Sequence, residues 1–351
     1  MKPKNSRIFK KGLSKNYNSF LILLSQKLIL LRKEIKVKME ESLLKKITAF
    51  KEEVHKTVVG YDETIENLLI ALVSGGHVLI EGVPGIAKTL LAKSFAQALS
   101  LRFSRVQFTP DLVPSDITGT SIFDSKTGKF SFREGPVFTN VLLADEINRT
   151  PPKVQSALLE CMQEKRVTVD GNPHPLPEPF FVIATQNPIE MEGVYPLPEA
   201  QVDRFMFKLI MKYPSRDEEK NILTKYISAD IHVVNPILSS EDLIRIKELV
   251  ETVTMESKVF DYILDIVDAT RKDERVMLGA SPRASLQIAL ASRTRATIKG
   301  RNYVSPTDVK VIAPHVLRHR IMLKPEAELE GVKVEDLILE LLNKTPVPKL
   351  I

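Results

Sequence analysis

Residues 81–99 read EGVPGIAKTLLAKSFAQAL. A turn rich in glycine and proline leads straight into a run with Leu90, Leu91, Phe95, Ala98 and Leu99 at helical spacing. Just before it, HVLIE (residues 77–81) is a short apolar stretch of the kind that forms a buried parallel strand. Strand, loop and helix in this order are the setting of a phosphate-binding loop, G-x-x-x-x-G-K-[ST]. Gly82, Lys88 and Thr89 fit that pattern, but Ala87 stands where glycine is expected. Such a loop works by aiming backbone N–H groups and a helix N-terminus at phosphate oxygens. Glycine is required only where φ is positive or a ligand touches Cα. Position 87 is expected at the helix entrance with φ already helical, where alanine fits. By itself the stretch leaves an ordinary strand–turn–helix open.

A second stretch narrows the choice. NVLLADEINR (residues 140–149) is an apolar strand ending in Asp145 and Glu146, about 60 residues after the loop. An aspartate at such a strand end holds Mg²⁺ in phosphate-loop enzymes, and a neighbouring glutamate can act as general base on water. With Lys88 reaching the β- and γ-phosphates and Thr89 joining Asp145 on the metal, the pair of motifs predicts ATP and Mg²⁺ as cofactors. FFVIATQNP (residues 180–188) is another buried strand, ending in Thr185, Gln186 and Asn187. Ligands collect at the carboxyl ends of parallel strands, so Asn187 is expected near the γ-phosphate. Asp203 and Arg204 precede a fifth apolar strand. Arg204 reads either as a surface ion pair or as an arginine finger for a neighbouring subunit.

Composition bounds these readings. The 351 residues suffice for two domains, and 43% hydrophobic with 27% charged is ordinary for a globular chain. The single cysteine, Cys161, excludes an internal disulfide framework, suits a cytoplasmic location and reads as core packing. The net charge of +6 is unevenly spread. Residues 1–38 hold eleven Lys or Arg and one acid, so they carry +10 and residues 39–351 are net −4. The body is therefore acidic, which argues against nucleic acid as a partner. In the basic extension, FLILLSQKLILL (residues 20–31) is too short and too interrupted to span a membrane. It reads as a surface-binding amphipathic helix, the one route to membrane contact, or as sequence ahead of an internal start at Met39.

GVPGIAKT, LLADEINR, ATQNP, EAQVDRF and GASPRAS (residues 279–285) together resemble the MoxR group of AAA+ ATPases from about Met39 to about Lys344. Loops of that group commonly carry the alanine. The resemblance implies an α/β fold: a three-layer phosphate-loop domain on a parallel sheet (39–212), followed by a small all-helical lid domain (213–351). It also implies a Walker A loop of Gly82, Val83, Pro84, Gly85, Ile86, Ala87, Lys88, Thr89 and Leu90. Asp145 and Glu146 become Walker B, Asn187 sensor 1, Arg204 the arginine finger and Arg283 sensor 2, in cis or in trans. Val58, Val59, Gly60 and Tyr61 match the segment that packs on adenine. The implied assembly is a homo-oligomeric ring, a hexamer, acting on protein clients with a partner that carries a von Willebrand A domain.

The rest of the pattern agrees. Residues 117–138 read as a hairpin around Lys126-Thr127-Gly128, and residues 164–181 as another around Asp170-Gly171. In this group such hairpins touch clients. After Tyr213-Pro214 the pattern changes to helices alone, with Ser305, Pro306 and Asp308 forming a good helix start. Arg293, Arg295, Lys299 and Arg301 read as a solvated helix end or a contact between subunits, and His315 and His319 as structural. Three other functions share these features: a chelatase-type motor for metal insertion, a nucleic-acid motor, and a nucleotide-dependent scaffold without turnover.

Overall fold

The computed structural model describes residues 40–126, 128–187, 195–227 and 232–349. The chain forms two compact units, Met1–Lys46 and Ile47–Ile351. In the first, residues 40–46 are helical; the amphipathic stretch at 20–31 and the rest of the basic extension lie outside the described residues. The second opens with helical residues 47–57 (α1) and α2 (Asp62–Val73). Between these helices Gly60 and Tyr61 take φ 77° and 63°. The Tyr61 hydroxyl donates to Lys212 O at 3.0 Å, so this turn rests on the segment leaving the sheet.

Alternating elements follow: β1 (Val78–Glu81), α3 (Lys88–Ala98), β2 (Phe103–Gln107), α4 (Pro114–Thr118), β3 (Gly119–Asp124) and β4 (Lys129–Glu134). Next come β5 (Val141–Asp145), α5 (Pro152–Glu164), β6 (Arg166–Val169), β7 (Asn172–Pro175), β8 (Phe181–Gln186), α6 (Glu199–Val202) and β9 (Phe207–Ile210). Five strands make one parallel sheet in the order β2-β5-β8-β1-β9. Both of its faces are covered, which is why β5 and β8 read as nearly continuous apolar runs. On one face Leu79, Leu142, Ala144, Val182 and Ala184 pack in a core with Leu158 and Leu159 of α5. On the other, Phe95 of α3 lies 6.0 Å from Phe181 and 5.6 Å from Phe50 of α1. This is the three-layer architecture expected.

His77, at the foot of β1, is buried and structural. Its Nδ1 accepts from Val182 N at 3.0 Å and its Nε2–H donates to Met162 O at 3.2 Å. Burial pulls its pKa to about 4, so the ring is neutral. Cys161 is buried too, and burial pushes its thiol up to about 12.

Both expected hairpins form, β3–β4 and β6–β7, although Thr127 in the first turn lies outside the described residues. They touch one another. Phe132 stacks on His174 with ring centroids 4.0 Å apart, and Ser121 Oγ donates to Asp170 Oδ2 at 2.5 Å.

The C-terminal part of the chain contains α7 (Arg216–Ile227), α8 (Ser240–Thr252), α9 (Ser257–Lys272), β10 (Val276–Leu278), α10 (Pro282–Ile298) and α11 (Pro306–Leu317). β11 (Met322–Leu323), α12 (Pro325–Leu329) and α13 (Val334–Lys344) complete it. The structure thus adds to the expected helices a two-stranded antiparallel ribbon, β10–β11. α10 is the central lid helix and packs on α2, α8, α9 and α11. Ser305 and Asp308 form the expected capping box on α11. The basic run on α10 and just beyond it turns inward. Arg295 and Arg301 both bond Asp308, which is fully buried, and Lys299 bonds Glu66 of α2 at 2.8 Å. All three of these bases are paired within the chain. His315 of α11 and His319, just beyond it, also brace this part of the chain. His315 Nε2 lies 2.9 Å from Glu63 Oε1 and 3.1 Å from the Asn67 amide, and His319 donates to Phe205 O at 3.1 Å.

Candidate nucleotide site

The turn between β1 and α3 wraps the mouth of a cleft of about 570 Å³. Pro84, Gly85, Ile86, Ala87, Lys88, Thr89 and Leu90 line it on one side, with Thr57, Val58, Val59 and Tyr61 at one end and Asp145 and Glu146 opposite. Pro214 and Ile222, from the segment that follows β9, also line it. Its volume and mixed lining suit a small-molecule ligand of nucleotide size. Gly60 lies in an adjoining hollow of about 390 Å³ with His55, Asn221 and Thr224. Gly82 and Val83 are not in the lining. Gly82 is where the loop leaves the sheet, and a Cβ there would stand 2.6 Å from Ile86 Cδ1 and 3.0 Å from Met211 O. Glycine is needed at 82 for close packing.

Ala87 departs from its expected conformation. It takes φ 64° and ψ 24°, the left-handed region, and serves as the N-cap of α3. Helical φ begins one residue later, at Lys88. The expectation failed because a tight loop must reverse before its helix can start, and that reversal falls on position 87. A glycine would enter this region freely, whereas alanine is strained there by its Cβ. The Lys88 ammonium folds back to donate to Gly82 O at 2.6 Å, bracing the loop across its mouth.

The two carboxylates at the end of β5 are held differently. Asp145 Oδ1 accepts from the Thr185 hydroxyl at 2.6 Å. Its other oxygen, Oδ2, accepts from Arg105 Nη2 at 2.8 Å and Nε at 3.1 Å. Glu146 sits at φ 58°, ψ 49°, with its N–H donating to Thr185 Oγ1 at 2.9 Å. That turn takes the chain out of β5 and sends the Glu146 side chain back over the sheet end. There its Oε2 accepts from Gln107 Nε2 at 2.7 Å and Arg149 Nη1 at 3.0 Å. Gln107 Oε1 in turn accepts from Arg105 Nη2 at 2.6 Å. One polar chain therefore links Asp145 to Glu146 through β2. Sequence reasoning missed Arg105 and Gln107. Their signal was present: polar residues at alternate positions of FSRVQF, which the register of β2 on β5 brings beside Leu143 and Asp145.

The remaining expected residues lie outside the cleft lining. Asn187 is buried, one residue beyond β8. Among the described residues the half-buried Arg204 guanidinium takes no partner. Arg283, exposed at the start of α10, lies 3.4 Å from Asp203 Oδ2. Asp203 is a junction between sheet domain and lid. It also accepts from Arg320 Nε at 2.7 Å and Ser281 Oγ at 3.3 Å. Arg320 is almost wholly buried and caps Phe205 O and Gln287 Oε1 as well; burial lowers its pKa to about 10. So Arg283 pairs with Asp203, the residue next to Arg204 in the chain, and neither arginine lines the cleft.

Among the described residues no group of three His, Cys, Asp or Glu side chains stands ready to hold a metal by itself. A Mg²⁺ site of the phosphate-loop kind needs none. It takes one or two protein oxygens and completes its shell from phosphates and water. The Thr89 hydroxyl and Asp145 carboxylate, facing one cleft, supply the hard oxygen donors it requires.

Comparison with known proteins agrees with this geometry. The profile of the ATPase family associated with various cellular activities (AAA) matches residues 77–207, and that of the AAA lid domain matches residues 268–341. The chain is 48% identical to chaperone MoxR1 of Mycobacterium tuberculosis over 307 residues, 85% of this chain and 81% of that protein. It is 47% identical to the uncharacterized protein YeaC of Bacillus subtilis over 298 residues, 85% of this chain and 93% of that one. A crystal structure from Cytophaga hutchinsonii superposes with a TM-score of 0.84 at 42% identity, covering 90% of this chain and 99% of that chain. With nearly half of the aligned residues identical over more than four fifths of this chain and of these relatives, and with the ATPase and lid profiles matched in order, this chain belongs to the MoxR group of AAA+ ATPases.

Proposed function

We propose that the protein binds ATP with Mg²⁺ in the cleft, hydrolyses it, and uses the cycle to remodel client proteins as a ring of identical subunits. The observation that carries this reading is the convergence of Lys88, Thr89, Asp145 and Glu146 on one cleft. Lys88 neutralises charge on the β- and γ-phosphates. Thr89 and Asp145 hold the metal, which when bound screens the phosphates and stabilises charge as it develops. Glu146 takes the proton of the attacking water as its oxygen joins the γ-phosphorus and ADP leaves. Val59, Gly60 and Tyr61 seat the base. Asn187 orients the water from the end of β8.

Arg204 and Arg283 are assigned to the neighbouring subunit's site. Arg204, whose guanidinium has no partner among the described residues, and the exposed Arg283 both lie outside the cleft lining, which supports that trans arrangement. Exposed Leu286 on α10 and Met277 and Leu278 on β10 give the same region an apolar surface for a second copy. A hexamer is the expected ring. The β3–β4 tip, with exposed Phe123 and Phe130 in a tilted pair, is assigned to client contact. A protein with a von Willebrand A domain is the proposed partner, and the cytoplasm the proposed location. No helix among the described residues is long and apolar enough to cross a membrane.

The test is a pair of variants. Lys88→Ala abolishes ATP binding, whereas Glu146→Gln keeps binding and loses turnover, read by a fluorescent ATP analogue and by phosphate release. Normal hydrolysis by Glu146→Gln refutes the role given to that carboxylate. ATP binding unchanged by Lys88→Ala refutes the site.

A further inference from the structure

The Asp145 carboxylate has two oxygens with different partners. Oδ1 points inward and is taken by the Thr185 hydroxyl at 2.6 Å. Oδ2 is the oxygen left for a ligand in the cleft, and two N–H groups of Arg105 lie on it. We propose that Arg105 is a tethered competitor for the metal oxygen of Asp145, so that its guanidinium and the divalent cation occupy Oδ2 alternately. The inference rests on the assignment of this cleft to ATP and Mg²⁺.

A guanidinium does not lose its proton in a protein, so Arg105 is a permanent cation. Mg²⁺ demands near-octahedral oxygens at about 2.0–2.1 Å and carries two charges. The two N–H groups of Arg105 take both lone pairs of Oδ2, and a second cation at contact distance repels the guanidinium, so entry of the metal requires Arg105 to give up at least one of these bonds. Arg105 is free to do so. Its side chain is 45% exposed, whereas that of Asp145 is 10% exposed, so the arginine is the mobile member of the pair. It also lines the cleft itself, beside the phosphate loop. A displaced guanidinium there stays within reach of phosphate oxygens, which its planar fork fits well. Metal would thus be held well only when phosphates arrive with it to receive Arg105, and free Mg²⁺ would be held poorly.

The full chain tests this with a fluorescent ADP analogue, which cannot turn over, titrated with MgCl₂. Mn²⁺ binding without nucleotide is followed in parallel by electron paramagnetic resonance. Arg105→Gln is expected to lower the half-saturating Mg²⁺ concentration about tenfold, the scale of losing a charge-assisted hydrogen bond. It should tighten Mn²⁺ binding by a similar factor and change the metal-free ADP affinity less than about twofold. Arg105→Lys keeps a cation without the fork and falls between; it stands in if the glutamine variant fails to fold by thermal melting. A metal midpoint that is unchanged or raised overturns the proposal. So does a loss of metal-free ADP affinity with no gain in metal affinity, which makes Arg105 a plain phosphate ligand. Failure of the unaltered protein to bind ADP under any condition refutes the nucleotide assignment instead, while the Mn²⁺ comparison still reads the competition at Asp145.

Discussion

Ala87 holds a left-handed φ at the tightest point of the loop, and two opposed effects decide what glycine would do there. Removing Cβ relieves roughly 1–2 kcal/mol of steric strain. The freer unfolded chain of a glycine variant offsets about 0.4–1 kcal/mol of that. Ala87→Gly is therefore expected to retain nucleotide binding and to shift stability by about 0–1.6 kcal/mol, toward greater stability, by urea denaturation. Gly85, at φ 83° with open space around its missing Cβ, is the converse case. Alanine there meets no atom, so Gly85→Ala costs about 1–2 kcal/mol of strain, offset by about 0.4–1 kcal/mol from its stiffer unfolded chain. Loss of nucleotide binding in Ala87→Gly would mean that the methyl group itself touches the ligand.

Between elements, Glu53 shows how α1 is fastened to the segment between α7 and α8. It is almost wholly buried. Oε1 lies 2.7 Å from His232 Nε2 and accepts from Asn235 N at 2.7 Å and Asn235 Nδ2 at 3.0 Å, while Lys56 Nζ donates to Oε2 at 2.6 Å. Burial, the largest single influence, raises its pKa. Lys56, the Asn235 backbone, His232 and the Asn235 amide together outweigh it and bring the carboxyl to about 2, from an ordinary 4.5. The folded value lies below the unfolded one, so this contribution is fully present above about pH 4.5 and disappears as pH falls toward 2. Glu53→Gln should lower stability at pH 7 and lose less between pH 4.5 and 2 than the unaltered chain, by denaturation midpoints across that range. Parallel pH curves would show that Glu53 is not held in this way. The basic run of α10 belongs to the same scale. Its spacing was legible as charge on a helix end. Its partners Glu66 and Asp308 come from α2 and α11, so its inward pairing was not.

For the whole molecule the decisive question is whether a site is shared between copies. Arg204→Ala is expected to bind ATP nearly normally and lose about 10³-fold in hydrolysis, the usual scale for removing an arginine finger. Mixing it with Lys88→Ala should restore part of the activity, because mixed rings pair an intact Lys88 cleft with an intact Arg204. Hydrolysis per subunit should also rise with protein concentration. Full activity in dilute monomers, or no recovery in well-exchanged mixtures, defeats the shared-site arrangement.

Lys88, Thr89, Asp145 and Glu146 were legible in the sequence because each works through its own stretch of backbone. A strand end, a turn and a helix start are local structures, and a contiguous motif carries all the geometry they need. The parallel sheet was legible for the same reason, as apolar runs too continuous to have an exposed face. Only the tertiary structure decided that Arg105 lies on Asp145, 40 residues away, and that Gln107 holds Glu146. Those contacts follow from the register of β2 on β5, which no single segment encodes. It likewise decided that Arg283 and Arg320 meet at Asp203, where lid and sheet domain close on each other. Short motifs determine local chemistry because backbone geometry is short-ranged; which charges face one another depends on packing between segments that are strangers in sequence.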